Sequence, residues 1–496
     1  MEGDDPEIHG GDGRMMLKEM CGVVGIYSPN VEEEVSGQLY CCLMALQHRG
    51  QESAGISVYD GERVRNFRAP GLAAEVFTPT VLQRLKGHVG IAHVRYSTKG
   101  RSDLKNSQPY FTKKSKIGFS IATNGNIVNY EKLKARLTGE GYRFETTSDF
   151  EVIAHLLSSG LKDGGDWCDA VEHAMGQLMG SYSLVILTEK GELIAARDPL
   201  GFRPLCLGKL SETYVIASET AALDSVGASL VKEVEPGEVV LIDESGMHAK
   251  KLISSNRHAH CMFEWVYFAR ADSDIEGISV HKVRERLGQN LARIHPVEKG
   301  TIIVPVPDSG RSTASGFAIG SNSRALEGFI KNRYVGRTFI MPHQKDRENS
   351  THLKFNPIKS IVSGKRVALV DDSIVRGTTL RRLVSSLRCA GAKEVHVRIS
   401  CPPIKFPCVF GIDFPTFEEL IASNKTIPEI QKEIGADSLG YQTIEGLIEA
   451  IGCRRDELCL ACLTGEYPTQ LSSELISWER LREKNGLDER SGKKGE

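Results

Sequence analysis

The stretch Val367-Ala368-Leu369-Val370-Asp371-Asp372-Ser373-Ile374-Val375-Arg376-Gly377-Thr378-Thr379-Leu380 restricts the fold more than any other part of this chain. An apolar run with no alternation has to be buried on both faces, as in a parallel sheet covered by helices. Two acids end the run, and a loop with glycine and hydroxyls opens a helix-like segment. A helix N-terminus presents unpaired N–H groups and the positive end of the dipole, so the loop is built to hold a phosphate. The Thr378 and Thr379 hydroxyls can add donors. Paired aspartates beside a phosphate suit sugar hydroxyls or a divalent ion. The Walker pattern G-x-x-x-x-G-K-[ST] is absent. The plainer reading is a strand-to-helix turn with capping polar residues.

Neighbouring segments repeat the alternation. From about residue 275, helix-like 280–294 and 377–390 alternate with apolar 301–306, 366–370 and 394–399. Residues 415–458 read as helical, and the tail after 470 is highly charged. A second loop, Pro305-Val306-Pro307-Asp308-Ser309-Gly310-Arg311, also follows a strand. Between the two loops lies Lys331-Asn332-Arg333-Tyr334-Val335-Gly336-Arg337, with His343, Gln344 and Arg347 beyond it. Alone it reads as a solvated charged loop. Beside a phosphate site it reads as a lid that excludes water.

The first half differs. Short strands are expected at 88–94, 116–122, 182–188, 192–196, 214–217 and 238–242, with a helix around 32–47 and another after Asp149. Strands without regular helical crossovers indicate an α+β sheet sandwich. At 496 residues the chain exceeds one ordinary core, and two domains of roughly 200–250 residues are expected, dividing near 250–275. The polar clusters His93-Val94-Arg95-Tyr96-Ser97-Thr98 and Thr123-Asn124-Gly125-Asn126 are expected after their strands. Asn-Gly is also a hairpin signal, and Ser148 or Asp149 could simply cap a helix. His48-Arg49-Gly50-Gln51-Glu52 suits a ligand-lining loop.

Cys21 opens the apolar run Cys21-Gly22-Val23-Val24-Gly25-Ile26. Residues 1–20 are rich in Gly and Asp and fit a removable leader. Without them Cys21 would carry a thiol and an α-amine, with unperturbed pKa values near ~8.5 and ~7.7–8.0. One residue could then serve as nucleophile and base. Otherwise it is a packing cysteine, as Cys41 and Cys42 are expected to be.

A formal charge of -2 gives no field for non-specific nucleic-acid binding. No apolar run reaches the ~18–20 residues that span a bilayer. The acidic start is neither a secretory signal nor a transit peptide, so a cytoplasmic protein is expected, or a plastid stromal one stripped of its transit peptide. The twelve cysteines are then free thiols, metal ligands or catalytic groups.

In order and spacing, Cys21–Ile26, His48–Ile56, His93–Thr98, Asn124-Gly125-Asn126 and Ser148-Asp149 resemble the class II glutamine amidotransferase domain, an N-terminal-nucleophile hydrolase. The 367–380 stretch resembles the loop of type I phosphoribosyltransferases. Together, over about residues 21–470, they resemble the glutamine phosphoribosylpyrophosphate amidotransferase family, in its iron–sulfur branch. The resemblance implies an N-terminal-nucleophile sandwich over 21–255, preceded by a leader at 1–20. An α/β phosphoribosyltransferase domain at 256–470 and a charged tail at 471–496 follow.

It also implies roles. Cys21 attacks glutamine, Asn124 and Gly125 form the oxyanion hole, and Arg95 and Asp149 hold the glutamine α-carboxylate and α-ammonium. Asp371, Asp372, Ser373, Arg376, Gly377, Thr378, Thr379, Lys331 and Arg333 hold phosphoribosyl pyrophosphate. Mg²⁺ is expected at Ser309, Asp371 and Asp372. A [4Fe–4S] cluster is expected on Cys261, Cys408, Cys459 and Cys462, with Cys401 and Cys453 as competing core thiols and a structural zinc as the alternative metal. The chain departs from the family pattern at Ala271, where proline is expected. The implied reaction is the first committed step of purine synthesis. Purine nucleotides are expected as feedback inhibitors, and a homotetramer as the assembly. A catalytically inactive sensor with the same domains is the competing class, and the full set of catalytic residue types speaks against it.

Overall fold

The computed structural model describes residues 19–97, 104–113, 118–162, 165–332, 355–414 and 416–470, with Ser472, Glu474 and Ile476. The lid expected beyond Asn332, Arg333 included, lies outside the described residues.

Strands β1 (Glu19–Tyr27), β2 (Ser53–Tyr59), β3 (Val64–Pro70), β4 (Val89–Ser97), β5 (Tyr110–Thr112), β6 (Phe119–Ile127) and β7 (Gly180–Thr188) are followed by β8 (Leu193–Arg197), β9 (Cys206–Leu210), β10 (Thr213–Ala217), β11 (Ser229–Glu233), β12 (Glu238–Asp243) and β13 (Gly246–Lys251). They form two antiparallel sheets, β11-β9-β10-β1-β4-β2-β3 and β13-β12-β8-β7-β6-β5. Alternation along each strand divides its residues between two cores. Val23, Ile91, Ala122 and Val185 meet between the sheets. Val24 and Ile26 turn outward, into a cluster with Leu39 and Leu43 of the helix Ser36–Ala45. Ile121 and Ile186 turn outward on the other side, toward Phe150–Gly160 and Trp167–Met175. The sheets approach closely at Gly25, where an added Cβ would lie 2.8 Å from Val185 Cγ1.

Two expectations change. The runs at 88–94 and 116–122 continue to Ser97 and Ile127, so Thr123–Asn126 and the described part of the first cluster, His93–Ser97, lie inside strands. Asn124 and Gly125 pair with Ser183 and Tyr182 of β7, which rules out a hairpin turn there. Cys42 is buried but Cys41 is exposed. At 3.6 residues per turn, adjacent helical residues point about 100° apart and cannot share one buried stripe.

In the second half a parallel sheet runs Ile302–Pro305, Arg366–Asp371, Glu394–Ile399, Ser438–Tyr441. Ile303, Ala368 and Val370 pack against Leu291, Ala314 and Phe317 on one face. Val304, Val367 and Leu369 share the other core with Leu380, Leu383 and Leu387. The unbroken apolar runs thus reflect burial on two sides. The strand Ser438–Tyr441 falls within 415–458, which was expected to be helical. With four residues and Gly440 it has no period of its own, and pairing with Glu394–Ile399 creates it.

The halves are joined by buried ions. Glu219 accepts hydrogen bonds from Arg49 Nε, His48 Nε2 (2.7 Å), Ser273 Oγ (2.7 Å) and the Arg270 N–H (2.9 Å). Glu264 accepts from Arg49 Nη2 (2.7 Å) and Arg203 Nη1 (3.0 Å). Burial alone would raise the Glu219 pKa, but the Arg49 and His48 charges outweigh it and hold it well below the ordinary carboxylate value. Removing one partner of such a lattice strands the other charge. Glu219→Ala is expected to destabilise the protein by about 3–5 kcal/mol, read as a lower urea midpoint in the fluorescence of the buried Trp265. A loss under about 1 kcal/mol, the scale of a surface pair, would show that the lattice does not hold the halves together.

Candidate functional site

Strand register assembles the first site. Cys21 of β1 and Ser53 of β2 both sit opposite Arg95 of β4. Cys21 shares the inner face with Val23, and Asn124 reaches it from β6 across the sandwich. The Cys21 N–H donates to Asn124 Oδ1 (3.3 Å). Asn124 is fully buried, and its Nδ2 has no hydrogen-bond partner among the described residues. A buried donor left unmatched is costly unless a ligand meets it. Gly125 has φ +152°, and a Cβ there would lie 2.0 Å from the Ser181 carbonyl oxygen, so only glycine fits.

Arg95 is buried and its Nη1 lies 3.7 Å from Glu52 Oε2. Gly50 presses on its backbone, since a Cβ would sit 2.5 Å from the Arg95 nitrogen. Asp149 stands at the N-cap of Phe150–Gly160 but makes no capping bond with its side chain. Instead Asp149 Oδ2 accepts the Ile127 N–H (2.9 Å), which fixes it to the end of β6. Capping therefore does not account for Asp149.

β1 begins at Glu19, with Glu19 opposite Ser97 and Met20 opposite Tyr96. Glu19 and Met20 are thus a strand rather than loose chain, because β4 runs on to Ser97 and offers them a ladder. Cys21 lies inside that strand, its nitrogen in a peptide bond.

In the second site, two loops leave the C-terminal ends of adjacent parallel strands, where Val304 pairs with Leu369 and Pro305 with Val370. Ligands of such sheets bind at this edge. Ser309 Oγ donates to Asp372 Oδ1 (2.6 Å), and Ser373 Oγ to Asp372 Oδ2 (2.6 Å). Asp371 is pushed well above the usual carboxylate range by burial and by Asp372. Gly377 caps the helix Thr378–Cys389 at φ +74° without a side-chain bond, which leaves its first N–H groups facing the loop, and Thr378 and Thr379 are exposed there. Two expected ligands are otherwise engaged. Arg376 Nη2 donates to Glu419 (2.7 Å), and Lys331 Nζ to Asp308 Oδ2 (2.5 Å).

Cys261, Cys408, Cys459 and Cys462 line a single cavity with Arg203, Phe202, Phe263, Phe410, Phe414 and Tyr467. Cys261 and Cys459 are register partners in a two-residue parallel ladder. Burial pushes the Cys261 thiol up to about 11 and raises those of Cys459 and Cys462 further. Cys401 and Cys453 do not line the cavity. Among the described residues no three His, Cys, Asp or Glu side chains converge closely enough for a single metal ion.

Sequence reasoning missed Glu264 and Arg203, and it placed Glu52 in a ligand-lining loop without its Arg95 partner. The partners of Glu264 lie 215 and 61 residues away. Arg203 offered no signal beyond a glycine–proline turn.

Comparison with known proteins matches this geometry. The models "Glutamine amidotransferases class-II" and "Glutamine amidotransferase domain" match residues 20–155 and 93–225. The amidophosphoribosyltransferase of Methanothermobacter thermautotrophicus is 47% identical over 470 residues, covering 95% of this chain and 99% of that one. That of Archaeoglobus fulgidus is 50% identical over 460 residues, covering 92% and 99%. The chain belongs to the amidophosphoribosyltransferase family. A solved family member, the glutamine phosphoribosylpyrophosphate amidotransferase of Bacillus subtilis with ADP and GMP, superposes with TM-score 0.84 at 45% identity. It covers 91% of this chain and 98% of its own. The family fold joins a class II glutamine amidotransferase domain to a phosphoribosyltransferase domain, and both sheet systems are present here. No helix among the described residues is long and apolar enough to cross a membrane.

The inner face of β4 also carries His93, whose Nε2–H donates to the Thr123 carbonyl (3.1 Å). Burial, with the Arg95 charge adding, pushes its pKa down to about 3. The unfolded chain takes up this proton near its ordinary value of about 6.5 and the folded chain does not, so stability falls as pH drops below 6.5. From pH 7 to pH 5 the loss from this residue is about 2 kcal/mol, at 1.36 kcal/mol per unit. Urea unfolding at both pH values should show a steeper pH dependence in wild type than in His93→Gln. Equal slopes would mean that His93 titrates normally.

Proposed function

We propose that the chain transfers the amide nitrogen of glutamine to phosphoribosyl pyrophosphate. Glutamine, phosphoribosyl pyrophosphate and water give 5-phosphoribosylamine, glutamate and pyrophosphate, the first committed step of purine synthesis. The observation that carries this reading is the unpartnered Asn124 Nδ2 beside Cys21, in a chain that also bridges two phosphate-type loops through Ser309 and Asp372.

With residues 1–20 removed, by the chain's own chemistry in our reading, the Cys21 amine takes the thiol proton. Sγ then bonds to the glutamine amide carbon. Negative charge on the carbonyl oxygen is met by Asn124 Nδ2 and the Gly125 N–H. Arg95 pairs with the α-carboxylate as a planar donor, turning from Glu52, and Asp149 receives the α-ammonium. The amine returns its proton to the leaving ammonia, and water hydrolyses the thioester to glutamate. Ammonia moves within the protein to the second site and forms the bond to ribose C1 as the bond to pyrophosphate breaks. Asp371 and Asp372 orient the ribose hydroxyls. Ser373, Gly377, Thr378 and Thr379 hold the 5-phosphate with Arg376, and Lys331 adds positive charge for the substrate, a role the resemblance also gives to Arg333, outside the described residues. Positioning carries most of the rate.

Mg²⁺, with Ser309, Asp371 and Asp372 near it, would supply charge neutralisation for the leaving pyrophosphate. Two carboxylates and a hydroxyl suit an ion that keeps waters and substrate oxygens. The four cavity thiols fit a [4Fe–4S] cluster better than zinc, since they share one apolar-walled space without converging on a point. Such a cluster supplies a covalent cross-link among three segments of the second half. The ADP and GMP complex of the Bacillus relative supports purine nucleotides as regulators. A cytoplasmic homotetramer completes the reading.

Cys21→Ser should abolish glutamine-dependent pyrophosphate release and retain ammonia-dependent release, and losing both would refute two separate sites. Asn124→Ala should lower the glutamine-dependent rate by about 10²–10³, as loss of one oxyanion donor does elsewhere. The double variant Asp371→Asn, Asp372→Asn should lose both routes. Full ammonia-dependent turnover in that protein would place the ribose site elsewhere.

A further inference from the structure

Arg203, from the other half of the chain, is among the residues that line the cavity gathering the four cysteines. It is 1% exposed. It leaves a turn fixed by Asp198, whose carboxylate accepts the Leu200 N–H (2.9 Å) and the Phe202 N–H (3.1 Å). Its Nη1 donates to Glu264 and its Nη2 to the Phe410 carbonyl (2.7 Å). The third donor, Nε, is buried without a partner among the described residues. Glu264 is shared with Arg49, so it offsets only part of the Arg203 charge. The same loop turns back on a ligand candidate, since the Phe410 N–H donates to Cys408 Sγ (3.3 Å).

Thiolate sulfurs are acceptors, and a cluster held by four of them is anionic. We infer that Arg203 is the hydrogen-bond donor and counter-charge of the cluster on Cys261, Cys408, Cys459 and Cys462, so that the glutaminase half sets the cluster's reduction potential. This rests on the cluster reading given above. Hydrogen bonds and positive charge near the sulfurs stabilise the reduced state and raise the potential. A guanidinium does so at every working pH, because it does not deprotonate. A bridge that only joined the halves through Glu264 and Phe410 would leave the potential unmoved, and that separates the two roles.

The test uses full-length protein purified without oxygen, as wild type, Arg203→Gln, Arg203→Lys and Glu264→Gln. Iron and sulfide are counted, and the midpoint potential is read by protein-film voltammetry. Arg203→Gln should shift the midpoint negative by about tenfold in the reduction equilibrium constant, about 59 mV for one electron. Arg203→Lys should shift less, in the same direction. Glu264→Gln keeps the guanidinium and removes its counter-ion, so its midpoint should move positive. Wild-type potentials in the glutamine variants overturn the inference. If Arg203→Gln fails to assemble, opposite signs for Arg203→Lys and Glu264→Gln support it, and equal midpoints overturn it. Absence of iron and sulfide from wild type refutes the cluster reading itself.

Discussion

Four buried charges, Arg49, Arg203, Glu219 and Glu264, hold the two halves of this protein in one relation. Taking such groups out of water is unfavourable, and apolar residues of equal volume would often be more stable. Their value lies in direction. Each guanidinium has to meet its carboxylate at a defined angle, so the halves cannot slide as two apolar faces could. Glu219 also gathers the Arg270 N–H and the Ser273 hydroxyl. Arg284 then holds the carbonyls of Trp265 (2.8 Å) and Ala269 (2.7 Å). The connecting segment is therefore fastened along its length before the helix Val280–Ile294 begins.

The glutamine site depends on register within that frame. Cys21, Arg95 and Asn124 come together because three strands present alternate residues to one inner layer. A slip of one residue would turn each side chain to the opposite core. Gly125 and Gly50 fix the positions more finely, one against the Ser181 carbonyl and one against the β4 backbone. In the phosphoribosyl site the corresponding restraint is Gly310, where a Cβ would lie 2.6 Å from the Val370 carbonyl oxygen and would part the two loops.

Where burial is uniform, the fold was legible. Val367–Val370 could only be a doubly covered strand, and the loop after it could only open a helix. Alternation misled where polar residues continue a strand. Thr123–Asn126 looked like a turn because sequence patterns treat polarity as exposure, whereas here the ladder and the sandwich interior receive it. Residues 1–20 read as a removable leader, yet Glu19 and Met20 find strand partners on β4. The resemblance pointed to motif residues that the fold gathers in two places, and it did not point to their surroundings. Glu52, Glu264 and Arg203 take their meaning from neighbours that only the tertiary fold supplies.

The loop that carries Cys408 belongs to the second half by sequence and to the first by attachment. Asn126 Nδ2 donates to the Val409 carbonyl (2.8 Å), Ser181 Oγ to that of Phe410 (2.8 Å), and the Phe202 and Phe410 rings stack at 4.1 Å. Asn126 lies two residues from Asn124 and on the same strand face, so the peg is driven in beside the buried Asn124 amide. The protein is consequently not divisible where its sequence changes character. A glutaminase fragment ending near residue 255 would contain every residue of its own site, yet the strand holding that site would have lost its outer support.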